Sequence, residues 1–200
     1  MLRQLGHDSV ERFHMNEGHS ALLTMELLSE EASRKKEERL TIEDVDMVRK
    51  KCIFTTHTPV PSGHDQFPLD IADKVLRKNH LHDLPDLFLY EGLLNMTHLA
   101  LNLSRYVNGV AKRHGEISRI MFAGYIIDSI TNGIHASSWT ADSFKELFNR
   151  HISGWMKDNF NLRYAIGIPP EEVWKAHMEA KRKLIHYVNH EYNAGMGDTT

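Results

Sequence analysis

Residues 41–68 constrain the fold most strongly, because three local patterns follow one another there without a gap. "TIEDVDMVRKK" begins with Thr41 and Asp44 at the spacing of a capping box and continues with apolar residues at helical intervals. "CIFTTH" follows at once with β-branched and aromatic residues and no helical period, which is typical of a buried strand. A loop then begins. This order predicts an α/β sheet, in which ligands bind beyond the carboxyl ends of the strands.

The flanking segments continue the same alternation. "RFHMNEGHSALLTMELLSEEASRKK" predicts a short extended segment that leads into a helix, whose apolar face contains Ala21, Met25, Leu28 and Ala32. Helical spacing is almost unbroken between 95 and 122, but Asn108-Gly109 is a strong turn signal. We therefore expect two helices that meet near "VNGV", the second beginning at or just after Asn108. "YIIDSITNGIHASSW" predicts another buried strand, and "TADSFKELFNRHI" and "PPEEVWKAHMEAKRKLIHYVNHEY" predict two helices.

Composition narrows the class of protein. The chain has 200 residues, with 24 basic and 27 acidic side chains, so its net charge of −3 gives no electrostatic footprint for nucleic acid. The longest apolar stretch, "IMFAGYII", is far shorter than the roughly 20 residues of a membrane span, and the N-terminal residues carry charges where a signal peptide is apolar. A single cysteine, Cys52, suits a reducing compartment. We expect a cytoplasmic protein that binds neither nucleic acid nor membrane.

The loop "TTHTPVPSGHDQFP" (residues 55–68) holds three prolines, one glycine and two histidines. A zinc site built from His57, His64 and Asp65 lacks the spacing of known zinc motifs. His57 could instead cap the strand through a backbone hydrogen bond. The third interpretation is a neutral imidazole presented to a polar ligand, because prolines lower the entropic cost of holding a loop in a binding geometry.

Two further polar segments lie at predicted strand ends. In "NEGHSA", Asn16 and Glu17 suit the start of a helix, but together with His19 they are also candidates for the wall of a site. "NGIHASSW" has the same ambiguity. No P-loop, GxGxxG, GxSxG or kinase signature is present, and no paired carboxylates indicate a glycosidase.

Taken together, five segments resemble the α-glucan phosphorylases, most closely the short bacterial and archaeal form. In chain order they are "HMNEGHSALL", "IFTTHTPVPSGHDQFP", "NMTHLALNLSRYVNGVAKRHGEIS", "SITNGIHASSWT" and "IPPEEVWKAHMEAKRKLI". The resemblance covers nearly the entire chain, about residues 1–192, and five motifs in order are far more specific than any one of them.

The resemblance implies an activity and a fold. The family cleaves a terminal α-1,4-linked glucosyl unit of a glucan or maltodextrin with phosphate, which yields glucose 1-phosphate. Its fold pairs two Rossmann-like domains (GT-B), so this helix-rich α/β chain would hold the C-terminal part of the first domain (1–124), then the crossover and the start of the second (125–200). The cofactor, pyridoxal 5′-phosphate, is bound by a lysine expected outside this chain, and homodimers are common in the family.

The resemblance also assigns residues. His57 is similar to the histidine, and Asn108 to the asparagine, that contact the hydroxymethyl group of the sugar. Asn16, Glu17 and His19 match a motif that reads "NDTHP" in long forms. The remaining members of the candidate site wall are Thr58, His64, Asp65, Asn132 and His135.

The phosphate-binding motif is expected downstream of residue 200, so the chain would be a middle segment with no catalytic residue of its own and no activity in isolation. Met1 need not then be the natural start. Two alternatives remain from the residues themselves: a non-catalytic glucan-binding or scaffold module, and a metal-dependent hydrolase that uses His57, His64 and Asp65.

Overall fold

The computed structural model describes residues 5–7, 9–36, 39–76 and 80–197. The chain divides into two compact units, Met1–Asn132 and Gly133–Thr200, and each has an apolar core of its own. The division falls slightly downstream of residue 124, where the resemblance places the end of the first domain. Whether the units correspond to the two expected domains stays a prediction.

The described part of the first unit contains seven strands and six α-helices. The strands are β1 (Phe13–Asn16), β2 (Cys52–Thr56), β3 (Gln66–Pro68), β4 (Leu89–Tyr90), β5 (Leu93–Asn95), β6 (Tyr106–Gly109) and β7 (Asp128–Ser129). The helices are α1 (Leu22–Lys35), α2 (Ile42–Lys51), α3 (Leu69–Val75), α4 (Pro85–Phe88), α5 (Met96–Asn102) and α6 (Lys112–Met121).

The main sheet is wholly parallel, with the strand order β1-β2-β6-β7. Parallel neighbours need a crossover connection, and here each connection contains at least one helix. Strands β3, β5 and β4 form a separate small antiparallel sheet. The predicted α/β class is confirmed, and all four carboxyl ends of the parallel strands lie along one edge.

The segment 41–56 folds as its sequence predicts. Thr41 Oγ1 accepts from the Asp44 backbone N–H, and the Asp44 carboxylate accepts from the Thr41 backbone N–H, which completes the capping box at the start of α2. Cys52 and Phe54 of β2 are fully buried. The predicted apolar face of α1 also lies in the core.

Two sequence predictions about strands are wrong. Residues 106–109 form strand β6 between β2 and β7, so no helix begins at Asn108; the helix α6 begins at Lys112. The segment predicted as a buried strand forms only the two-residue β7. Because β7 is the edge strand of the sheet, both of its residues are exposed; Ile126 and Ile130 are exposed as well, whereas Ile127, directly before the strand, is buried in the core.

The second unit is helical in its described residues. It contains α7 (Ala136–Trp139), α8 (Asp142–His151), a 3₁₀ segment (Asn159–Gly167) and α9 (Pro170–Tyr192), so both predicted helices are confirmed. Trp155 is buried in its core and donates its indole N–H to Asn149 Oδ1 (2.9 Å). Across the ranges described here, no helix combines the length and apolarity needed to cross a bilayer.

Candidate functional site

A row of polar residues crosses the main sheet near the carboxyl ends of its strands. Asn16 on β1 pairs with Thr55 on β2, Thr55 pairs with Asn108 on β6, and Asn108 pairs with Asp128 on β7. Paired residues in a parallel sheet project from the same face. Four polar side chains therefore lie side by side at the edge where ligands of open α/β sheets bind.

An open cleft of about 430 Å³ lies at this edge. Its lining residues are His14, Asn16, Thr55, His57, Asn108, Ile130 and Asn132. Backbone hydrogen bonds from Ile130 to Gly109 and from Asn132 to Val110, each 2.9 Å long, hold residues 130–132 beside the end of β6. Four of the sequence-predicted residues thus meet in one cleft, whose size is within the range of small-molecule sites.

A directional chain of hydrogen bonds crosses the cleft floor. The Asn108 amide N–H donates to the Gly109 carbonyl (3.3 Å), so Asn108 Oδ1 accepts from the Thr55 hydroxyl (2.9 Å). Because that hydroxyl has a single proton, it must accept from His14 Nε2, which lies 2.7 Å away. The chain therefore selects the His14 tautomer that carries its proton on Nε2.

His57 and Asn108 differ in how much of each can reach a ligand. His57 lies exposed in the loop that follows β2, so its imidazole is available to a molecule in the cleft. Asn108 is only 4% exposed, and both atoms of its amide already have partners. Asn108 thus mainly holds the cleft floor, with one amide proton left over for a ligand.

Glu17 does not line the cleft; its carboxylate points into the loop that carries His57. Glu17 Oε2 accepts from the His57 backbone N–H (2.7 Å) and from the Thr58 hydroxyl (2.8 Å). Glu17 Oε1 accepts from the Gly18 backbone N–H (3.0 Å). A Cβ on Gly18 would lie 2.9 Å from Thr97 Oγ1, so a threonine, as in the long-form motif, would not fit here.

His64 and Asp65 belong to the base of the loop and not to the cleft lining. His64 is buried, its Nδ1 lies 2.8 Å from Thr97 Oγ1, and its ring meets Phe122 edge-on. Burial lowers the pKa of His64, which favours the neutral imidazole. The Asp65 carbonyl accepts from the Met96 backbone N–H (3.0 Å). Both residues therefore hold the loop against α5.

Two more histidines support this region, and sequence reasoning did not select them as site residues. His114 on α6 is buried against Gly109, where a Cβ would lie 2.3 Å from its Nδ1. His98 on α5 stacks on Tyr90 with ring centroids 3.9 Å apart. Burial is the main cause that lowers the pKa of both imidazoles. The neutral imidazole is thus favoured at both positions.

The remaining candidates lie elsewhere. His19 is exposed in the 3₁₀ turn Gly18–Ser20 after β1, outside the cleft lining. His135 is in the second unit, where its Nδ1 lies 2.6 Å from the Ser138 hydroxyl. Within the described ranges, no three His, Cys, Asp or Glu side chains come together as a metal site. The structure therefore gives the metal-hydrolase alternative no support.

Comparison with known proteins decides the family. No family model matches the chain. It is 38% identical to maltodextrin phosphorylase of Thermococcus litoralis over 94% of this chain and 24% of that protein. It is 37% identical to glycogen phosphorylase of Mycobacterium tuberculosis, over 89% and 23% of the two chains. By sequence, the chain is a relative of the glycogen and maltodextrin phosphorylases.

The likeness to these phosphorylases covers most of this chain but only part of each relative. Glycogen phosphorylase of Aquifex aeolicus is 29% identical, over 94% of this chain and 30% of that protein. The chain thus spans about a quarter of the length of the first two phosphorylases. The family that the sequence motifs indicated is confirmed.

The described residues do not suit the cofactor that the phosphorylase family implies. A Schiff base with pyridoxal 5′-phosphate needs a lysine in a desolvated site. No described lysine is buried, and neither lysine nor arginine lines the cleft. The described lining of this cleft therefore contains no lysine for the aldehyde and no cation for the phosphate of that cofactor.

Proposed function

We propose that the chain is part of an α-1,4-glucan phosphorylase and that its cleft forms one wall of the site for the terminal glucosyl unit. The whole reaction would transfer that unit to inorganic phosphate and release glucose 1-phosphate. One observation carries the proposal: a polar cleft at the carboxyl ends of a parallel sheet collects four sequence-predicted residues, in a chain 38% identical to a maltodextrin phosphorylase.

The chemistry of the cleft suits a sugar. Its described lining consists of imidazoles, amides, one hydroxyl and one aliphatic side chain, without lysine, arginine or a carboxylate. Such groups bind sugar hydroxyls without the desolvation cost of a charge. Asp128 is the one carboxylate in the polar row, and the described lining contains no pair of carboxylates of the kind that a glycosidase uses as acid and base.

Within this proposal the lining residues have different roles. His57, exposed on its loop, hydrogen-bonds the hydroxymethyl oxygen of the glucosyl unit. Asn108 fixes Thr55 and His14 and offers at most its remaining amide proton to the sugar. Asn16 and Asn132 contribute two further amides to the lining.

The proposal assigns phosphate binding and the cofactor to residues outside this chain. Pyridoxal 5′-phosphate would supply an acidic phosphate group beside the attacking phosphate, and a lysine elsewhere would hold it. In this interpretation the units Met1–Asn132 and Gly133–Thr200 are pieces of two Rossmann-like domains of a GT-B fold, and the whole enzyme is a homodimer.

The direct test uses the full polypeptide that contains this sequence. Incubated with maltodextrin and inorganic phosphate, it should release glucose 1-phosphate, while a chain restricted to residues 1–200 should release none. Binding of maltodextrin by the full polypeptide without release of glucose 1-phosphate would instead favour the non-catalytic glucan-binding module. If the full polypeptide neither bound maltodextrin nor released glucose 1-phosphate, both the phosphorylase and the glucan-binding module would be contradicted.

A further inference from the structure

We propose that Glu17 is a positioning residue: its carboxylate fixes the backbone of residues 56–58 and thereby the place where the His57 imidazole enters the cleft. The inference rests on the proposed function, in which His57 contacts the sugar. It assigns a task to a residue that the resemblance placed only in the wall of the site.

The contacts of Glu17 connect two strand ends. One oxygen, Oε2, accepts from the His57 backbone N–H at 2.7 Å and from the Thr58 hydroxyl at 2.8 Å, both in the loop after β2. The other oxygen accepts from Gly18, in the turn after β1. Hydrogen bonds to an ionised carboxylate are about twice as strong as neutral ones. One side chain therefore holds the His57 loop against the neighbouring turn.

The backbone of Glu17 gives independent support. Its φ of 70° and ψ of 164° lie in a region that is occupied almost only by glycine. The Glu17 N–H donates to the Thr55 carbonyl (2.9 Å), which helps to keep the residue in this conformation. If the position needed only this backbone shape, glycine would adopt it without strain. A glutamate there indicates that the side chain supplies what the position requires.

Direct contact between Glu17 and a ligand is disfavoured by the same geometry. Glu17 is absent from the cleft lining, and both of its oxygens face donors of the protein. Any effect of Glu17 on the reaction must therefore pass through the loop. Its effect should depend on whether His57 is present, which a purely structural residue would not show.

A double-mutant cycle in the full polypeptide tests this dependence. The variants are Glu17→Gln, His57→Ala and the pair, and the readout is kcat/KM for glucose 1-phosphate in the synthetic direction. Glutamine would turn an NH₂ group toward a backbone N–H, so Glu17→Gln should lower kcat/KM by about tenfold or more. In the His57→Ala background the same change should cost less than about twofold. Equal losses in both backgrounds would overturn the proposal.

Two controls separate the side chain from the fold. Glu26→Gln, on an exposed position of α1, should leave kcat/KM unchanged. Glu17→Gly relieves the backbone strain but removes the carboxylate, so it should lose as much activity as Glu17→Gln. Wild-type activity in Glu17→Gly would mean that backbone shape alone matters, and would overturn the proposal.

A crystal structure of the Glu17→Gln polypeptide decides the matter even without activity. We expect the His57 ring to move from the wild-type position or to lose its single conformation. A His57 ring unchanged in place and order would overturn the proposal. An inactive wild-type polypeptide would count against the proposed phosphorylase function, and the position of the ring would still decide the role of Glu17.

Discussion

At the residue scale, the two main residues of the cleft have different tasks. His57 is exposed and available to a ligand, whereas Asn108 is buried and holds the cleft floor. Asn108→Ala would leave the buried Thr55 hydroxyl without its acceptor. We predict that it lowers the free energy of unfolding by about 1–3 kcal/mol. Asn132→Ala, at an exposed amide of the same cleft, should change it by less than about 0.5 kcal/mol. Urea unfolding of the two variants checks this, and similar losses would refute the assigned difference.

The buried histidines predict a dependence of stability on pH. Burial holds the pKa of His64 and His114 below the ordinary value of 6.5, so the unfolded chain binds protons at a pH where the folded chain does not. Their contribution to stability is therefore present above pH 6.5 and is lost as the pH falls below it. His64→Gln should flatten the unfolding free energy between about pH 7 and pH 5. The exposed control is His19→Gln. If the unfolding free energy changed with pH equally steeply in His64→Gln and in this control, the prediction would be contradicted.

Single residues show where sequence reasoning reaches its limit. His57 could be predicted because a proline-stiffened loop after a strand is visible locally. His14 could not, because its contact with Thr55 depends on the register between two strands that are 41 residues apart in sequence. The direction of the Glu17 side chain likewise depends on the neighbouring loop. The alternation of His14 and Asn16 on one strand face was the only local signal for His14.

At the element scale, the capping box of α2 is a local motif that the sequence predicts and the structure contains. Thr41→Ala removes the side-chain acceptor of the Asp44 N–H, so it should lower the free energy of unfolding by about 1 kcal/mol. Thr41→Ser retains the hydroxyl, so it should lower the free energy of unfolding by only about 0.3 kcal/mol. Chemical denaturation of both variants gives the comparison. A loss for serine as large as for alanine would mean that the methyl group, and not the cap, stabilises this helix.

The strand that was mistaken for a helix shows why elements are harder to predict than motifs. Leu103, Val107 and Val110 keep helical spacing, so the local pattern favours a helix. Pairing of β6 with β2 on one side and β7 on the other supplies backbone hydrogen bonds that outweigh this preference. The same tertiary arrangement places β7 at an edge, so the expected buried strand shortens to two exposed residues, and of the isoleucines around it only Ile127 is buried.

At the scale of the whole molecule, both units expose large apolar side chains. Ile126 is 89% exposed in the first unit, and Trp139 and Ile166 are 80% and 95% exposed in the second. Exposed apolar surface of this kind favours association. We predict that the 200-residue chain forms concentration-dependent oligomers in sedimentation experiments and melts at a temperature that depends on its concentration. A monomer with a concentration-independent, two-state melt would contradict this.

The central claim is that the cleft binds a glucosyl unit and that His57 contacts its hydroxymethyl oxygen. The most direct measurement compares glucose 1-phosphate with xylose 1-phosphate, which lacks that group, as donors in the synthetic direction. The wild-type full polypeptide should strongly prefer the glucose donor. His57→Ala should lower kcat/KM for glucose 1-phosphate by about one to two orders of magnitude and for xylose 1-phosphate far less. The exposed control His19→Ala should keep the wild-type preference. Equal losses on both donors in His57→Ala would contradict the account.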